Sequence, residues 1–134
     1  MKWPPEVEVV AAVFRGAGME ARLEQLPEGE SQPPGLAVRV DAYDCQGRVL
    51  VALVGEDREL DPRKLLSVGR CAYARPVAAP AFPFPRASVF IDRLVLSERT
   101  VWLPAGSPRF AVALSPTDLA RLTRAQAADL VADA

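Results

Sequence analysis

The run LAVRVDAYDCQGRVLVALVG, residues 36–55, restricts the fold more than any other stretch of the chain. Val38, Val40 and Ala42, a series that extends to Asp44, alternate with Arg39, Asp41, Tyr43 and Cys45. That period of two belongs to a strand with two different faces. The segment QGR supplies a turn around Gly47, and residues 49–54 are then almost continuously apolar. A hairpin whose second strand is apolar throughout places that strand at the centre of a sheet, covered on both sides.

The flanks add helices and more strands. In PPEVEVVAAVFRGAG, Pro5 suits a first helical turn, Glu6 and Glu8 complement the helix dipole, and Val7, Val10, Ala11 and Phe14 recur at helical spacing. EARLEQL alternates like a strand, and residues 27–35 form a loop by composition. LDPRKLLSVG is a short helix with Asp61 as N-cap, Pro62 at the first position and Gly69 at the stop. RCAYA, SVFID, TVWLP and RFAVAL read as strands. SPTDLARL is a helix capped by Ser115. Irregular alternation of strands and short helices, with a hairpin and no internal repeat, predicts a mixed α/β (α+β) domain with a mixed sheet.

Between RCAYA and SVFID lie Pro76, Pro80, Pro83 and Pro85. Reading them as an interdomain linker would divide 134 residues into two halves too small to be stable without staples. A stiff loop inside one domain, residues 1–134, is the expectation.

Net charge is −1. Extended wrapping of nucleic acid needs a basic surface, so DNA binding is not expected, whereas a limited contact with one end of an RNA stays open. The chain has no histidine, which removes Ser-His-Asp and Cys-His catalysis. Two cysteines without histidine make no common zinc site, so neither metal nor cofactor is expected. No apolar run approaches the ~20 residues of a membrane span, and MKWPPEVEVV lacks the apolar core of a signal peptide. These features describe a cytoplasmic protein with Cys45 and Cys71 as reduced packing residues. Oligomeric state is not legible.

Three site candidates each carry two readings. Arg39 is either a cation on the wet face of the hairpin or one that orients an anionic or carbonyl-bearing ligand. Asp92, at the end of SVFID, caps the next turn or recognises a ligand amine. AGSP, containing Gly106, Ser107 and Pro108, is a turn or a presenter of amides and a hydroxyl. GEDREL, residues 55–60, is a solvated charged turn.

Read in order, ASVFIDRLVLSERTVWLPAGSPRFAVALSPTDLARLTRAQAADL resembles the C-terminal part of the YbaK-like (ProX-like) aminoacyl-tRNA deacylases, relatives of the editing domain of prolyl-tRNA synthetases. The matching features are a strand ending in Asp92, the aromatic Trp102, the turn at 105–108, the helix at 115–123 and the tail at 125–130. Upstream, residues 36–65 look like the family's hairpin and helix start. The resemblance implies a central, partly barrel-like mixed sheet flanked by short helices. It also implies hydrolysis of the ester between a wrong amino acid and the tRNA 3′ end, without a metal. Loop amides would polarise the ester carbonyl.

Two departures from the family pattern stand out. The family's catalytic Lys falls at Arg39, which keeps the charge on a larger, planar group. Its Gly-rich loop falls on AAPAFPFP, residues 78–85, where Ala78 and Ala79 replace two glycines. Ala78, Ala79, Pro80 and Phe82, with Asp92, Gly106, Ser107 and Pro108, are the substrate-binding positions that the resemblance implies. The alternative is an inactive member that binds an aminoacyl group or the tRNA 3′ end; a closed pocket with a role in assembly is a third reading.

Overall fold

The computed structural model describes residues 3–19, 22–26, 35–105 and 109–133. The chain order is α1 (Pro5–Gly16), β1 (Arg22–Gln25), β2 (Leu36–Cys45), β3 (Arg48–Gly55), α2 (Pro62–Val68), β4 (Arg75–Val77), β5 (Ser88–Asp92), α3 (Arg93–Leu96), β6 (Val101–Pro104), β7 (Phe110–Leu114), α4 (Pro116–Thr123) and β8 (Gln126–Ala128). The strands form one mixed sheet in the order β1-β7-β6-β2-β3-β5-β8, with β4 attached to β2. The expected mixed α+β architecture with short helices is the observed one.

The hairpin is its centre. Gln46 and Gly47 both take positive φ, 54° and 93°, the requirement of a two-residue turn that matches strand twist. The Gly47 N–H donates to the Asp44 side chain at 3.1 Å. β3 is flanked by β2 on one side and parallel β5 on the other, which is why its apolar residues run without a break. Leu53 and Ile91, paired across β3 and β5, are fully buried, and each such side chain contributes about 1.5–3 kcal/mol of burial free energy.

Register divides the two faces. Val38, Ala42, Val51, Leu53, Val89 and Ile91 pack with Val7, Val10 and Phe14 of α1. Leu50, Ala52, Val54 and Phe90 pack on the other face against Leu60, Leu65 of α2, Leu130 and Val131. A smaller cluster joins Leu26, Trp102, Ala111 and Ala113, with the Arg22 guanidinium 5.3 Å from the Trp102 ring centre. Helix starts follow their caps: Asp61 accepts from the Arg63 N–H at 3.0 Å, and Ser115 from the Asp118 N–H at 3.1 Å. Lys64 holds the tail through Asp129 at 3.0 Å and Asp133 at 2.9 Å. The hydrogen bonds that it donates to Asp133 and then to Asp129 raise its pKa above the ordinary lysine value.

Two expectations are corrected. RCAYA is not a strand: the strand is β4, one step later, inside the Pro-rich segment. Tyr73 is 73% exposed, so the alternation of Cys71 and Tyr73 buries only one of them. Pro76 is tolerated because β4 is a short edge strand on β2. The cysteines are not reduced: Cys45 and Cys71 form a disulfide with Cα atoms 6.2 Å apart. The end of β2 and the exit of α2 meet there, a proximity that a 26-residue separation does not announce.

Candidate functional site

Arg39 lies on β2 opposite Val54, on the face that carries Asp41 and Tyr43. Its Nε donates to Asp41 Oδ2 at 2.9 Å and its Nη2 to the Arg58 carbonyl at 3.3 Å. The pair is about one-third exposed, so the ion pair itself is worth about 0–1 kcal/mol. Its effect is orientation: the guanidinium is held in one place. Burial raises the pKa of the neighbouring Tyr43 hydroxyl, the Asp41 charge raises it further, and Arg39 opposes both. A small cleft of about 120 Å³ beside Arg58 is lined by Leu36, Gly55, Leu94 and Glu98 among others.

The loop after β4 carries the other half of the expected site. Ala78 and Ala79 are exposed and Pro80 is half-buried. Neither alanine takes a positive φ, so the loss of two glycines introduces no left-handed strain at these positions. The left-handed residue is Phe84, at φ 61°. A bulky residue there costs about 1–2 kcal/mol, offset by burial of its ring, which is only 4% exposed. Phe82 packs between two rings, tilted against Phe14 at 5.6 Å and edge to face with Phe84 at 5.6 Å. These aromatics anchor the loop to α1 as part of the core. The turn bonds within it run from Phe84 N–H to Ala81 O and from Ala87 N–H to Phe84 O, and among the described residues no loop bond uses the N–H of Ala78, Ala79 or Phe82. Positions 78–85 contain no acidic or basic side chain, so the loop can offer amides and shape but no proton carrier.

Arg39 and the phenylalanines occupy opposite faces of the sheet, since Arg39 shares a face with Val54 and the rings join the α1 side. The pairing along the outer edge of β2 has a break between its two partner strands. On the outer edge of β2, β6 pairs with Leu36 and Ala37, and β4 with Ala42, Tyr43 and Asp44. Among the described residues no strand pairs with that edge at 38–41. Ala78 and Ala79 follow Val77 directly and border this gap, and Arg39 lies within it.

Asp92 is 1% exposed. Its Oδ2 accepts from the Leu94 N–H at 3.1 Å and its Oδ1 from the Leu130 N–H at 2.9 Å. The carboxylate thus starts α3 and fastens the tail, which is the capping reading, and it does not join Arg39. Gly106, Ser107 and Pro108 lie outside the described residues. Sequence reasoning missed a groove at the opposite end of the sheet, containing Arg48, Arg70 and Arg124. Its residues come from separate elements and share no sequence pattern. Among the described residues no group of acids and cysteines could hold a metal ion, and no helix is long and apolar enough to cross a membrane.

No family profile matches the chain, and no curated protein matches its sequence. Solved structures match its fold. A protein from work on epitope backbone grafting onto scaffold proteins by computational design is 21% identical, with TM-score 0.84 over 98% of this chain and 100% of that one. A "putative trans-editing enzyme for prolyl tRNA synthetase" is 20% identical, with TM-score 0.84 and the same coverage. A hypothetical protein is 18% identical, with TM-score 0.79 over 92% of this chain and 99% of that one. This chain therefore shares its fold with these solved structures, among them the "putative trans-editing enzyme for prolyl tRNA synthetase".

Proposed function

We propose that the protein hydrolyses the ester joining a wrong amino acid to the 3′ end of a tRNA. The observation that carries this reading is the gap in the β2 edge, bordered by Arg39 and by Ala78 and Ala79, in a fold shared over 98% of the chain with a "putative trans-editing enzyme". The ester carbonyl would sit against the loop amides, with Arg39 orienting the substrate. Water attacks the carbonyl carbon, and the oxygen takes up negative charge that N–H donors stabilise. The ester C–O bond then breaks, and the ribose hydroxyl leaves with a proton. One such donor contributes about 10²–10³ in rate, so a site without histidine can work by positioning and electrostatics. Ala78, Ala79, Pro80, Gly106, Ser107 and Pro108 are proposed to shape the amino-acid pocket, while Phe82 holds the loop against α1 from the other face, and the tRNA contact is proposed to be limited to its acylated arm.

Purified protein should release amino acid from mischarged alanyl-, seryl- or cysteinyl-tRNA. Arg39→Ala is expected to lower kcat/KM by about 10–100-fold, a loss of roughly 1.4–2.7 kcal/mol of transition-state stabilisation, and Arg39→Lys to keep most of it. No release across the panel at high enzyme concentration would sink the proposal. One observation favours a second reading. Arg39 is already held by Asp41 and the Arg58 carbonyl, as suits a protein that binds the aminoacyl end without cutting it. Binding of a non-hydrolysable aminoacyl-adenosine analogue without turnover of the matching ester would select it.

A further inference from the structure

We propose that the groove at the amino-terminal ends of β3, β5 and β8 binds backbone phosphates of an RNA stem. This rests on the tRNA reading above and assigns where the arm docks. The groove encloses about 620 Å³ and includes Arg48, Arg70, Arg124, Ser67, Ser88 and Gln126. None of its ten lining residues is acidic. Three guanidinium groups, two hydroxyls and an amide are donors suited to phosphate oxygens.

The backbone supplies the second observation. Arg70 and Arg124 take φ of 52° and 55°, two of the four non-glycine residues with positive φ among those described. They stand where α2 and α4 end, a place that glycine or asparagine fills at less cost. A positive charge at a helix end is favourable anywhere in the last turn, so the dipole does not require arginine at the left-handed residue itself. Placing both in one groove makes sense if the side chains are used there. Neither forms an ion pair with a described residue, and Arg48 is oriented by the Gly69 carbonyl at 2.6 Å and the Arg70 carbonyl at 3.4 Å.

The lining of the groove differs in charge from the opposite strand ends. β3, β5 and β8 run parallel, and α2 returns from their carboxyl end to the groove. The carboxyl ends of these strands are followed by both signs of charge, with Lys64 paired to Asp129 and Asp133 and Arg63 to Asp61, whereas the groove at the other end is lined by three arginines and no acid. A net charge of −1 is therefore compatible with a local basic dock that contacts a few phosphates rather than a long duplex.

The test uses the whole chain carrying Arg70→Gly and Arg124→Gly together. Glycine suits both backbone conformations, so the melting temperature should equal or exceed that of the parent. Anisotropy titrations against an unacylated tRNA transcript and a 12-base-pair RNA duplex, across a salt series, supply the readout. Expected is at least a tenfold weaker affinity at low salt and a log K–log salt slope shallower by about 1–2, near one released counterion per lost contact. Arg70→Gln with Arg124→Gln should behave alike, which controls for a glycine effect on folding. Parent and variants binding with equal affinity and slope, or a parent that binds neither RNA, would overturn the proposal. Hydrolysis of an aminoacyl-adenosine lacking any stem separates this from the tRNA-deacylase reading. If both hold, the variants cleave it normally. If RNA binding depends on the arginines but nothing is cleaved, only the deacylase reading fails.

Discussion

Replacing Asp92 with alanine is expected to destabilise the protein by about 3–4 kcal/mol. The carboxylate is buried, and its two oxygens satisfy the N–H groups of Leu94 and Leu130. Removing it leaves two donors without partners, at about 1–3 kcal/mol each. The loss acts on three elements together: the end of β5, the start of α3 and the tail after β8. At about 3–4 °C per kcal/mol for a domain of this length, the melting midpoint should fall by roughly 10 °C or more. Asp92→Asn keeps the shape and one acceptor, so its fall should be about half as large. The experiment also decides between the two roles that the sequence allows for this residue. If Asp92 served a ligand amine instead, Asp92→Ala would melt like the parent and lose only binding.

The sequence made the sheet legible where side-chain pattern and burial coincide. Residues 36–55 alternate, turn at Gly47 and become continuously apolar because β3 has a strand on each side. The helices were legible through Asp61, Pro62, Ser115 and Pro116, since caps act over a few residues. The partner of the Asp92 carboxylate at Leu130 was not, because it is 38 residues away. The Pro-rich stretch was legible as a loop, but not the direction of Phe82 and Phe84, which the sequence could as well have placed over a ligand. Packing against Phe14 decided that. Left-handed φ at Arg70 and Arg124 escapes sequence reading because arginine carries no preference for it. The gap beside Arg39 depends on which strands pair with which part of β2, a tertiary choice that local propensity does not encode.

Pairing of Cys45 with Cys71 was the sharpest departure, and its removal carries the second large expected effect. The bridge closes a separation of 26 residues. In the chain-entropy account a loop of that length stabilises the folded state by about 3 kcal/mol, chiefly by restricting the unfolded chain. Cys45→Ala with Cys71→Ala should therefore lower the melting midpoint by roughly 10 °C, and reductant should do the same to the parent. The double variant itself should be indifferent to reductant, which ties the effect to the bridge. The fold should persist, because Leu50, Ala52, Leu65 and Phe90 still pack on that face without the sulfurs. The effect should also reach the arginine groove. Cys71 follows Arg70 directly, so the disulfide anchors one groove wall to the end of β2 and limits where the Arg70 guanidinium can go. Loss of the bridge should then weaken RNA binding less than loss of the arginines, since it frees the charge without removing it. An unchanged parent midpoint in reductant, with the thiols shown by mass to be free, would mean that native packing at Cys45 and Cys71 holds these segments together without the covalent link.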